Sequence, residues 1–183
     1  GSSDGAAVLR ALNRAYRTGL SDAELEELSR PLGSDVPFCV RGGCQLAAGR
    51  GDELTPLPPF PGCGIVICKP AFSIRTPELF ARIDERPIAA HPDTDGALEA
   101  LRCGDLHGIA RRMYNVFEDA LPRRFGAIGE LKSRLLDLGA LGAVMRGTGS
   151  ALFGIFETPA EAQRAHEKIT PHCRDSFFLN FAT

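Results

Sequence analysis

Apolar residues fall at helical spacing from the start of the chain. Ala6, Ala7, Val8, Leu9, Ala11, Leu12, Ala15 and Tyr16 line one face. That pattern predicts a helix N-capped by Ser2 or Ser3 and stopped by Gly19. Ser21-Asp22-Ala23-Glu24 is a capping box for a second helix, with Leu25 and Leu28 as its buried stripe and Pro31 and Gly33 as its end. Beyond the segment Gly33-Ser34-Asp35-Val36-Pro37-Phe38 the pattern shortens. Residues 40–41, 44–48 and 53–56, punctuated by Gly42, Gly43, Gly49 and Gly51, read as strand pieces of a hairpin. Pro56, Pro58, Pro59, Pro61 and Gly62 then form a linker-like stretch, which sets the expected domain boundary between residues 1–61 and 62–183.

The second half reads differently. Gly64-Ile65-Val66-Ile67-Cys68-Lys69 is a short apolar run between breakers, the mark of a buried strand. Thr76-Pro77-Glu78 predicts a helix start with Thr76 as N-cap and Leu79, Phe80 and Ile83 on the inner face. A loop over residues 87–92 leads to helices at 94–102 and 106–112, and Asn115-Val116-Phe117-Glu118 precedes a break at Pro122. Ile128, Leu131, Leu135 and Leu138 predict a long helix over 124–138, stopped by Gly139. Strands at 142–146 and 151–157 flank the turn Gly147-Thr148-Gly149-Ser150. Thr158-Pro159 opens a helix reaching 169, and 176–181 is a last strand. Strand, helices, strand, strand, helix, strand is the ferredoxin-like, split βαβ arrangement of an α+β fold. That fold serves many functions and decides none.

Composition narrows the field. With 183 residues, 44% hydrophobic and 24% charged, the chain belongs among folded globular proteins. A net charge of −2 and a pI of about 6.1 supply no global basic excess for nucleic acid or anionic lipid. Trp is absent and Tyr numbers two, so a base-stacking aromatic sheet is unsupported. No apolar run approaches the roughly 20 residues of a membrane span, and no signal segment opens the chain; a cytoplasmic location is expected. Neither the six cysteines nor the four histidines show metal-ligand spacing. The cysteines are expected to be free thiols acting as small apolar residues, and the histidines surface or loop residues.

Three segments carry candidate chemistry. Gly1-Ser2-Ser3-Asp4 feeds a helix N-terminus, whose free N–H groups and positive dipole end suit phosphate; many helices begin with serine, so alone this is weak. Asp35 sits between a glycine turn and an apolar Val-Pro-Phe run. It is either a fixed, partly desolvated carboxylate or a turn cap, and local sequence favours the cap. Gly147-Thr148-Gly149 is a hairpin turn using positive φ or a set of N–H donors for a substrate oxygen or phosphate; alone, the turn reading prevails.

Their combination changes the picture. Gly-Ser-Ser-Asp-x-Ala-Ala, Gly-x-Asp-Val-Pro-Phe, Gly49-Arg50-Gly51-Asp52-Glu53-Leu54-Thr55-Pro56-Leu57, Lys69-Pro70-x-Phe72-Ser73-x-x-Thr76 and Gly147-Thr148-Gly149 occur in an order that resembles the GHMP kinase superfamily along essentially the whole chain. The resemblance implies ATP and Mg²⁺ as cofactors. It also implies a cytidine-diphosphate-linked methylerythritol as the phosphate acceptor in non-mevalonate isoprenoid biosynthesis. By the same resemblance Gly1, Ser2, Ser3 and Asp4 would be the tail of the loop around the ATP phosphates. Asp35 would be the catalytic base, Thr76 would lie beside the transferred group, and Phe80 would stack on the cytosine, with helix core as its other reading. Gly147, Thr148 and Gly149 would close over the substrate. Family members carry an N-terminal strand region with a catalytic lysine that has no counterpart here. The chain is therefore expected to be a C-terminal part, inactive alone and self-associating through the surface so exposed. Homoserine- or mevalonate-type kinases, and a non-enzymatic ferredoxin-like binding domain, are the competing expectations.

Overall fold

In the computed structural model, residues 1–85, 88 and 90–181 are described; Arg86, Pro87 and Ala89, in the expected 87–92 loop and just before it, lie outside the described residues. The chain forms two compact units, Gly1–Pro59 and Phe60–Thr183.

The first unit holds α1 (Ser2–Ala15), α2 (Asp22–Ser29), α3 (Val36–Arg41) and a hairpin of β1 (Gln45–Ala48) and β2 (Glu53–Pro56), paired antiparallel from Gln45↔Pro56 to Ala48↔Glu53. Its core is Ala6, Leu25, Val36 and Val40, with Leu9, Leu20 and Cys39 packed against it. The capping box at Ser21 forms as expected, Ser21 Oγ accepting from Glu24 N–H and Glu24 from Ser21 N–H. Other local expectations are corrected. Gly1 is the N-cap of α1, so Ser2 and Ser3 lie inside it, and the helix ends four residues before Gly19, with Arg17 taking the left-handed turn at φ 50°. Residues 40–41 are helical, because Pro37 pre-sets φ in the first turn and carries α3 through to Gly42. Leu28 faces solvent; α2 instead buries Leu25, Glu26 and Ser29, and Glu26 pairs with Arg41 at 3.0 Å.

Arg10 reaches from α1 to the end of α3, donating to Cys39 O at 3.0 Å and to Val40 O. Cations at a helix C-terminus meet orphan carbonyls and the negative dipole end together. Asn13 fixes the α1–α2 turn by donating to Leu20 O (2.8 Å) and accepting from Leu20 N–H (3.2 Å).

The second unit holds β3 (Cys63–Lys69), α4 (Thr76–Asp84), α5 (Thr94–Arg102), α6 (Leu106–Arg111), α7 (Val116–Asp119), α8 (Ala127–Asp137), β4 (Gly142–Met145), β5 (Leu152–Phe156), α9 (Pro159–Ile169) and β6 (Asp175–Phe181). The strands form one antiparallel sheet in the order β4-β5-β3-β6, the ferredoxin-like order the sequence predicts. Side chains alternate across it. Val66, Cys68, Leu152 and Phe156 face α8 and α9, whose Ile128, Leu131, Leu135, Ala162, Ala165 and Ile169 complete the main core. Cys63 and Ile155 pack with Leu106 in a smaller cluster. Gly64 is required by close approach: a Cβ there would run into Ala162 Cβ and lie 2.7 Å from Thr158 O at the start of α9.

Here too some edges differ. Arg75, not Thr76, is the N-cap of α4, and Phe80 is 51% exposed although Leu79 beside it is fully buried. His166 lies in the last turn of α9, bonded to Ser176 Oγ at 3.1 Å, rather than in a loop. All six cysteines are free; burial pushes the Cys68 thiol up to about 12, whereas Cys103 is exposed. No described helix is long and apolar enough to cross a membrane.

Candidate active site

In the first unit the start of α1 and the start of α3 are neighbours: a Cβ on Gly5 would meet Val36 Cγ1 at 3.7 Å. The residue before each of these is an aspartate, Asp4 and Asp35. Ser2, Ser3 and Asp4 form the first helical turn of α1, where backbone N–H groups have no intrahelical acceptor. The Asp4 side chain is exposed. Asp35 occupies the N-cap position of α3 yet makes no capping hydrogen bond. The favoured turn-cap reading is therefore overturned, and so is partial desolvation, since Asp35 is exposed. Its Oδ1 lies 3.9 Å from where a Gly51 Cβ would stand, which places the carboxylate by the hairpin turn. The unit thus has the N–H groups of a helix start, where the Gly1 nitrogen is paired with the Asp4 carboxylate at 2.5 Å, and an Asp35 carboxylate with no hydrogen bond among the described residues.

In the second unit the turn between β4 and β5 is the organising feature. Gly147 and Gly149 take φ of 52° and 83°, values open to glycine without strain. Thr148 Oγ1 lies 2.9 Å from Thr76 Oγ1. Because Thr76 is the first helical residue rather than the cap, its hydroxyl is available for this pairing. Ser150 Oγ donates to Phe72 O at 2.6 Å, which ties the far side of the turn to the segment ahead of α4. Phe80 meets Phe117 edge-on, ring centroids 5.0 Å apart, and leaves the rest of its ring exposed. Sequence reasoning passed over the residues that hold this turn. Asn115 Nδ2 donates to Met145 O and Gly147 O, both at 2.7 Å. Glu118 Oε1 accepts from Met145 N–H at 2.6 Å, and its Oε2 pairs with Lys132. The one visible signal was an asparagine ahead of a short helix.

Among the described residues there is no group of three or more His, Cys, Asp or Glu side chains placed to hold a metal ion.

The family model described as GHMP kinases N terminal domain matches residues 1–43, and that described as GHMP kinases C terminal matches residues 97–175. The chain belongs to the GHMP kinases. Within that family it is 39% identical over 170 residues to a protein of Alkaliphilus metalliredigens named 4-diphosphocytidyl-2-C-methyl-D-erythritol kinase, covering 93% of this chain and 58% of that one. A crystal structure of 4-(cytidine 5'-diphospho)-2C-methyl-D-erythritol kinase superposes with a TM-score of 0.81 at 34% identity, over 97% of this chain and 63% of that one. Homoserine kinase from Cytophaga hutchinsonii superposes with a TM-score of 0.78 at 19% identity, over 97% of this chain and 63% of that one, a likeness of fold alone. The GHMP kinase chain described here thus spans about three fifths of the length of the relatives it matches.

Proposed function

We propose that the protein carrying this chain transfers the γ-phosphoryl group of ATP to the 2-hydroxyl of 4-diphosphocytidyl-2-C-methyl-D-erythritol, in the cytoplasm. Residues 1–61 belong to the ATP-binding domain and 62–183 form the ferredoxin-like domain. The observation that carries the reading is the uncommitted Asp35 carboxylate, one residue ahead of a valine that packs on the first turn of α1. Asp35 accepts the proton of the tertiary alcohol as its oxygen attacks the γ-phosphorus; the bond to the bridging oxygen breaks and ADP leaves. General-base help of this kind contributes ~10²–10⁴-fold. The N–H groups of Gly1, Ser2, Ser3 and Asp4 hold phosphate oxygens by the same physics that draws anions to any helix start. Thr76 and the Gly147-Thr148-Gly149 turn meet the acceptor, and the exposed ring of Phe80 offers a face to its cytosine. Mg²⁺ would accompany the nucleotide and offset the charge of its phosphates. The name of the relative that shares 39% identity supports this acceptor over homoserine or mevalonate.

The test is coupled ADP release by the complete protein, this chain with whatever natively precedes it, offered the diphosphocytidyl substrate, homoserine and mevalonate. Only the first is expected to turn over, and Asp35→Asn is expected to lower kcat ~10²–10⁴-fold. Preference for another acceptor, or an Asp35→Asn protein with unchanged kcat, rules the reading out. ATP-independent binding without turnover would favour the non-enzymatic alternative.

A further inference from the structure

The four-residue helix α7 and the residues that flank it contact the β4–β5 turn and Phe80, two of the features that the proposed reading gives to the acceptor. Asn115 precedes it and spends both ends of its amide. Oδ1 accepts from Phe117 N–H at 3.0 Å, capping the helix, while Nδ2 donates to the carbonyls of Met145 and Gly147. Phe117 supports the ring of Phe80. Glu118 accepts from Met145 N–H, and Lys132 neutralises it. At the far end, Ala120 O accepts from Arg82 of α4 at 2.9 Å, so α7 and the helix carrying Thr76 are tied together.

β4 is an edge strand, and edge strands leave backbone groups unpaired. Here both polar backbone groups of Met145 are taken by side chains, the carbonyl by Asn115 and the N–H by Glu118. The resulting turn is asymmetric. Its carbonyls at Met145 and Gly147 are occupied, and Gly149 N–H closes on Arg146 O at 2.9 Å. The N–H groups of Gly147 and Thr148 have no acceptor among the described residues. We propose that Asn115 is a positioning residue for the acceptor substrate, backed by Glu118 and Lys132. By holding the carbonyls it keeps the turn in the conformation whose unpaired N–H groups and Thr148 hydroxyl receive an oxygen of a hydroxyl- or phosphate-bearing acceptor. The identity of that acceptor rests on the kinase reading; the clamp does not.

The alternative is a helix cap and nothing more, and two substitutions separate them. Asn115→Asp and Asn115→Ser keep an oxygen for the Phe117 N–H, so the cap survives; ionised Asp has no donor, and Ser, one atom shorter with a single O–H, cannot replace the two N–H donors that reach Met145 O and Gly147 O. In the complete protein both are expected to raise the acceptor KM roughly tenfold or more, as misplaced substrate contacts do, with the ATP KM unchanged. Loss of global stability would lower the active fraction and leave the acceptor KM in place. Amide exchange at Gly149 is expected to quicken roughly tenfold, the loss of about one hydrogen bond, while Val66 and Leu152 keep their protection. If Asp and Ser match the unsubstituted protein and only Asn115→Ala departs, Asn115 is a cap and the proposal is wrong. Faster exchange with an unmoved acceptor KM also overturns it. If no acceptor alcohol is phosphorylated by the unsubstituted protein, the kinase reading fails and the positioning claim with it, while the exchange measurement still decides whether the clamp exists.

Discussion

The two units are stabilised in different ways. The second has fourteen buried residues in its main core, drawn from sheet and helices alike. The first has four, one of them an alanine, and leaves Val8 and Leu12 of α1 and Tyr16 just after it exposed. Burying a Leu- or Val-sized side chain contributes about 1.5–3 kcal/mol, so the apolar share of the first unit is small. What supplements it is directional: Arg10 on the last carbonyls of α3, Asn13 on the α1–α2 turn, Arg41 on buried Glu26. A unit held this way is sensitive to losing one polar partner, because the group left behind keeps its desolvation cost. A unit held by a large core is sensitive to cavities.

The contrast can be broken from either side. Phe156 is fully buried in the second unit, and Phe156→Ala is expected to cost ~3–5 kcal/mol in urea unfolding, the transfer loss plus the cavity. A cost below that of an ordinary surface change would mean the second unit does not depend on its core. In the first unit Arg10→Met keeps the aliphatic stem and removes the donors; the expected cost is ~1.5–3 kcal/mol, read as lost exchange protection in α3. If α3 stays protected, the apolar contacts suffice and the distinction between the units disappears.

How much of this was legible follows the same division. The second unit's sheet could be read because β3 is an unbroken apolar run and the turns carry glycine. Thr158-Pro159 opens α9 where expected, with Glu161 completing the capping box. Faces were misjudged where a helix buries a narrow stripe. Val8, Leu12, Leu28 and Phe80 fit an apolar period yet face solvent, since period marks a face without saying which neighbour covers it. Residues 40–41 look like a strand by β-branched propensity, but a proline one turn earlier decides for helix. Of the candidate site, glycines and an aspartate stood out in the sequence. Asn115 did not, because its meaning lies in carbonyls 30 and 32 residues away. Thr76 was read as a cap when its hydroxyl in fact points to a partner 72 residues on.

The smallest expected effect gives the sharpest comparison, because the same chemistry occurs once in each unit. Ser21 and Thr158 both head capping boxes, each accepting from the N–H three residues later and each receiving a glutamate in return. Replacing either hydroxyl by alanine removes one cap, worth ~1 kcal/mol. In the first unit that loss is expected to spread: with so small a core, α1, α2 and α3 open together, so Ser21→Ala lowers exchange protection at Ala6 and Val36 as well as at Leu25. In the second unit the sheet continues to hold α9, and Thr158→Ala loosens its first turn while Val66 and Phe156 stay protected. The pH response adds a check. Ser21's hydroxyl and N–H hold the Glu24 carboxyl below the usual carboxylate range. A carboxyl whose pKa is depressed by folding stabilises the fold above its unfolded pKa, and that contribution is lost as pH falls through the folded one. The advantage of the unsubstituted protein over Ser21→Ala should therefore be full near neutrality and shrink as the solution is acidified into the carboxylate range. Spreading loss from Thr158→Ala, or confined loss from Ser21→Ala, would show that the number of buried side chains does not set how far a local break travels.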